Sequence, residues 1–76
     1  MNKANESNDK YGLQAKYGPL LTLKQLAEVL HRSQESLRVS LHRNSEYSNS
    51  LREARKKIGR RVYFKSSDIT KLIDNL

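Results

Sequence analysis

Between Ile58 and Phe64 the spacing of apolar residues switches from a helical period to the alternation of a strand, and helical stripes lie on both sides of the switch. Ile58, then Gly59-Arg60, then Arg61-Val62-Tyr63-Phe64 predicts a hairpin, because glycine at the first of two turn positions suits a type II′ loop. Val62 and Phe64 alternate with Arg61 and Tyr63, so one face is expected to pack and the other to present Arg and Tyr. Helices joined to a single basic hairpin give the expected class, α+β.

Upstream, Thr22 followed three residues later by Gln25 has the form of a capping box and predicts a helix from Leu23 to Leu30. Leu23, Leu26, Ala27 and Leu30 make its inward stripe, with Lys24, Gln25 and Glu28 outside. After a break at His31-Arg32, Ser33 is positioned to cap a second helix reaching about Arg43, with Glu35 in the first turn and Leu37 and Leu41 inward. At 100° per residue, Glu35, Arg38, Val39 and His42 then fall on the outer side. Ser50 is expected to cap a short helix over 51–56, and Ser66 or Ser67 with Asp68 a last one carrying Ile69, Leu72, Ile73 and Leu76.

Residues 1–16 have no apolar period and are expected to be a disordered tail, which leaves 17–76 as the folded domain. A chain of 76 residues has room for one core, and with no cysteine that core is held without disulfides or thiolate metal sites. The hydrophobic content of 36% and the missing Trp argue against a deep apolar pocket and so against an enzyme with a buried substrate. Neither an apolar run of membrane-spanning length nor a signal-peptide pattern occurs, so a cytoplasmic protein is expected.

The formal charge is +7, and residues 44–65 alone contribute +5 of it through Arg52, Arg55, Lys56, Lys57, Arg60, Arg61 and Lys65 against Glu46 and Glu53. Charge runs usually face water, but clustering on a hairpin is the footprint of a nucleic-acid ligand. Lys56-Lys57 with Arg60-Arg61 also mimics a nuclear-localisation patch, a pattern with many false matches. His31 and His42 stand eleven apart with no Cys or acidic partner at ligand spacing, so no metal is expected. No Ser has an activating His or Lys, and no Gly-rich phosphate loop occurs; no catalysis and no cofactor are expected.

Two short helices, a basic hairpin and a closing helix follow the order of a winged helix-turn-helix. Residues 21–30 (LTLKQLAEVL), 32–37 (RSQESL), 58–64 (IGRRVYF) and 67–69 (SDI) resemble the small winged helix-turn-helix proteins of the excisionase and MerR-like group, phage and plasmid regulators among them. That resemblance covers 19–76 and implies a recognition helix at 33–43 and a wing tip at Gly59-Arg60. The sequence departs from the pattern at His31, where Gly is usual, and in the long connection 44–57. Neither a counterpart of the dimerising helix of MerR-type regulators nor a small-molecule effector is expected.

The expected function is therefore sequence-specific binding of double-stranded DNA by a transcriptional regulator, with a second copy as a cooperative partner on the DNA. Gln34, Glu35, Arg38, Val39 and His42 are the candidate base contacts in the major groove. Ser33, Arg43, Arg55, Lys56, Lys57, Arg60, Arg61 and Tyr63 are the candidate contacts to phosphate or minor groove. An excisionase-like factor that bends DNA needs the same docking geometry. An RNA-binding module would want more exposed aromatics than this chain has, and a protein adaptor would want less charge than 52–61 carries.

Overall fold

The computed structural model describes residues 9–76 as an α+β fold. Among these residues there are five helices, α1 (Leu13–Tyr17), α2 (Leu23–Leu30), α3 (Gln34–Ser40), α4 (Glu46–Ala54) and α5 (Ser66–Asp74). Three strands, β1 (Leu20–Thr22), β2 (Arg55–Ile58) and β3 (Arg61–Lys65), form an antiparallel sheet in the order β1-β3-β2. No helix among the described residues is long and apolar enough to cross a membrane.

The first helix pair forms where its caps lie. Thr22 Oγ1 accepts from the Gln25 amide at 3.1 Å while Gln25 Oε1 accepts from the Thr22 amide at 3.0 Å, the reciprocal capping box expected at the start of α2. Ser33 Oγ accepts from the Ser36 amide at 3.0 Å and starts α3. That helix ends at Ser40, three residues before the expected Arg43, because the chain tightens there. The amides of His42 and Arg43 donate to carbonyls only three residues back, Val39 and Ser40, each at 3.0 Å.

Between α2 and α3, His31 occupies the left-handed region at φ 57 and ψ 43. Its amide donates to the Glu28 carbonyl, and the Arg32 amide donates to the Ala27 carbonyl at 2.9 Å, the two bonds of a Schellman ending. A left-handed position that normally favours Gly is thus held by histidine.

The connection 44–57 differs from its expected form. Ser45, not Ser50, caps the third helix by accepting from the Ser48 amide at 3.1 Å, and the helix runs to Ala54. Its inward stripe, Tyr47, Ser48, Leu51 and Ala54, contains one strongly apolar residue, which hides the helical period. The expected 51–56 helix is therefore displaced toward the N-terminus, and Arg55 to Ile58 are strand.

Gly59 has φ 63 while Arg60 keeps a negative φ, the sign pattern of a type II′ turn, so the hairpin forms where expected. Arg55, Lys56, Lys57 and Ile58 pair with Phe64, Tyr63, Val62 and Arg61. β1 was not legible as a strand; it adds to the opposite edge of β3 by pairing Leu20, Leu21 and Thr22 with Lys65, Phe64 and Tyr63. α5 starts without a side-chain cap, against the expected role of Ser66, Ser67 and Asp68. Ser66 instead ties the start of α5 to the lead-in of β1, its hydroxyl donating to the Gly18 carbonyl at 2.7 Å and its amide to the Pro19 carbonyl at 2.9 Å.

The core is Leu13, Leu21, Leu26, Ala27, Leu37, Leu51, Ala54, Phe64, Ile69 and Leu72. Leu13 corrects the expected tail at 1–16 as far as residues 9–16 are concerned; residues 1–8 lie outside the described part. Asp9 accepts from the amides of Gln14 at 2.6 Å and Ala15 at 3.2 Å, which offsets orphan donors at the start of α1 and lets Leu13 reach the core. Leu76, expected in the inward stripe of the last helix, lies beyond the end of α5 and is 77% exposed.

Candidate nucleic-acid interface

α3 packs on α2 through the buried Leu37, with Leu41 half-buried behind it. Gln34, Glu35, Arg38 and Val39 are all exposed, so the outer side expected for this helix is free, and Val39 leaves 45% of its surface to solvent. Arg38 Nη1 lies 3.5 Å from Glu35 Oε1 in an exposed i,i+3 pair. Such pairs contribute about 0–1 kcal/mol, so both side chains remain available to a ligand. His42 and Arg43 are exposed too, but they sit in the tightened turn after α3 and not on its outer face. Ser33 is exposed with its oxygen engaged as the helix cap.

Arg52 belongs to the basic run but performs a structural task that the sequence does not reveal. Its Nη1 donates to the Leu41 carbonyl at 2.8 Å and the Arg43 carbonyl at 2.7 Å, and its Nη2 donates to Asn49 Oδ1. The guanidinium fork thereby satisfies carbonyls freed by the ending of α3 and fastens that turn to α4.

The hairpin holds the remaining charge. Arg55, Lys56, Lys57, Arg60, Arg61 and Lys65 are all exposed, no acidic residue lies between 55 and 65, and neither ion pair among the described residues involves any of them. Register assigns them to faces, because residues directly opposite in an antiparallel pair share a side and successive residues alternate. Arg55, Lys57 and Val62 continue the side on which Leu21 and Phe64 enter the core. There they border an open hollow of about 370 Å³, and Val62 is 38% exposed because the hairpin extends past the core. Lys56, Arg61, Tyr63 and Lys65 lie on the other side, with Ile58 and Thr22. Arg60 stands at the tip.

Apart from His42 and Arg43, which lie in the turn after α3, the expected base-contact and backbone-contact residues belong to two elements, α3 with its cap Ser33 and the hairpin. α3 is seated on α2, and β3 anchors the hairpin on α2, α4 and α5, so α2 is the common support. Val62 was expected to pack and is partly exposed; Lys65 and Ile58 share the Arg61 and Tyr63 face and were not singled out, although the alternation carried the signal. No group of three His, Cys, Asp or Glu side chains suited to a metal occurs among the described residues.

Away from the hairpin, Lys10 Nζ lies 2.9 Å from Asp74 Oδ2, and the Tyr11 hydroxyl donates to Asp74 Oδ1. The Tyr11 bond, seconded by Lys10, holds the Asp74 carboxyl below its ordinary pKa. The same contact raises Lys10 and Tyr11. Burial raises the Tyr47 phenol on α4.

No protein-family model matches this chain, and neither a curated protein nor a solved structure does.

Proposed function

We propose that the chain is a winged helix-turn-helix protein that binds double-stranded DNA sequence-specifically and regulates transcription. α3 enters the major groove with Gln34, Glu35, Arg38 and Val39 toward base edges, while His42 and Arg43 flank it. The hairpin is the wing: Arg60 at its tip and Arg55 and Lys57 beside it neutralise phosphates. The observation that carries this reading is a hairpin with six exposed cations and no carboxylate, mounted on the same helix that seats an exposed polar helix. A polyanion relieves the mutual repulsion of those cations, and the helix supplies what charge alone lacks, donors and acceptors for a base pattern.

Selection from a random duplex library, followed by titration of the selected duplex against a scrambled one, tests the reading. The expected result is one enriched motif and a steep fall of affinity with salt. Enrichment of no motif sinks sequence-specific binding. Chromosomal positions of the motif, beside promoters or beside recombination sites, separate a regulator from an excisionase-like factor.

A further inference from the structure

We propose that the outer face of the sheet is a second nucleic-acid surface, which takes an extended single strand with one base stacked on Tyr63. The buried core lies on one side of this sheet: Leu21 and Phe64 are fully buried there, while Lys56, Ile58, Arg61 and Lys65 on the other side are exposed and Leu20, Thr22 and Tyr63 half-buried. Tyr63 lies on the central strand, between Thr22 of β1 and Lys56 of β2, with Arg61 and Lys65 two residues away on either side.

Residues two apart along a strand are about 6.8 Å apart, and neighbouring strands about 4.8 Å. The cations therefore surround the ring at a spacing similar to that of successive phosphates in an extended single strand. No carboxylate lies on this face, so charge complementarity selects a polyanion. An aromatic among cations on an open sheet face suits unstacked bases, which lie flat on a ring, whereas duplex bases have no free face to offer.

This surface is distinct from the one assigned to the duplex, which uses α3, the hairpin tip and Arg55 and Lys57. The probes are labelled oligo-dT and oligo-U of about twelve nucleotides, read by fluorescence anisotropy against the full chain at low salt; the two arms distinguish DNA from RNA as the source of the strand. Binding of either strand is expected, weakened at least about fivefold by Tyr63→Ala and retained in Tyr63→Phe, since base stacking on an aromatic contributes ~1 to 3 kcal/mol. The exposed pair Lys56→Gln/Arg61→Gln tests the same surface without altering a half-buried side chain, and should reduce the salt slope by about 1.4.

Failure of both strands to bind overturns the proposal. So does an inner-face pair, Arg55→Gln/Lys57→Gln, that weakens oligo-dT as much as the outer pair, because the binding then belongs to diffuse hairpin charge. Single-strand binding that survives while no duplex motif is enriched supports this surface and sinks the duplex reading alone; the converse sinks this surface alone.

Discussion

Arg52 and Leu41 meet end to end: the guanidinium of the one donates to the backbone carbonyl of the other at 2.8 Å, across the turn that joins α3 to α4. A second bond from the same nitrogen, to the Arg43 carbonyl at 2.7 Å, makes the side chain a bracket for the exit of α3. Arg52→Ala leaves two carbonyls to find other partners, and hydrogen bonds from a charged donor contribute about 1.5–3 kcal/mol, less where solvent competes. The variant is expected to unfold about 1–2 kcal/mol more readily in urea. Lysine carries the charge without the planar fork, so Arg52→Lys should recover only part of the loss.

His31 sets the angle between α2 and α3 from a left-handed backbone position. A non-glycine residue there carries strain of ~1–2 kcal/mol, and the greater freedom that Gly gives the unfolded chain offsets part of the gain from relieving it. His31→Gly should therefore stabilise the domain by up to about 1 kcal/mol, and the β-branched His31→Val should destabilise it. A chemical denaturation series of the three proteins checks the order; Gly below wild type by more than about 1 kcal/mol contradicts it.

The contact of Lys10 and Tyr11 with Asp74 makes the docking of α1 depend on pH. Asp74 is lowered, so its contribution is complete above the ordinary aspartate range and disappears as pH falls through the lowered value. Lys10 and Tyr11 are raised, so their contributions are complete below their ordinary values and are lost as pH rises through the raised ones. The difference in melting temperature between wild type and Asp74→Asn should be constant around neutrality and shrink at both extremes. A difference that is the same at acid and neutral pH would show that the clasp does not form.

Leu13 gives the same segment its apolar anchor, at 6% exposure. Leu13→Ala is expected to destabilise the domain by about 2–3 kcal/mol, within the range for truncating a buried leucine. Deletion of residues 1–17 should do at least as much, read as a lower melting temperature. An unchanged melting temperature would mean that α1 is dispensable.

For duplex binding, Arg38→Ala should lose about 1–3 kcal/mol on the selected site and relax the choice of base there. Lys57→Ala and Arg60→Ala should instead weaken all duplexes alike, each lowering the log-log salt slope by roughly 0.9. Competition against point-mutated duplexes checks the first, and titration at several salt concentrations the second. Arg38→Ala with unchanged base preference removes α3 from the major groove.

Wherever a local signal sufficed, the sequence by itself determined the element. Thr22 with Gln25, Ser33 with Ser36 and the Gly59 turn each act within three or four residues, and each formed where the chain predicted. The exposed Gln34, Glu35, Arg38 and Val39, and the cations of the hairpin, were legible for the same reason, since the periods of helix and strand decide them. Only the tertiary structure decided β1, whose three residues become a strand because β3, more than forty positions later, offers them an edge. It also decided that Arg52 braces a turn, that Ser66 ties two segments and that Leu13 is core. Each of these depends on a partner distant in sequence, and a chain read in order carries no mark of which distant groups folding will bring together.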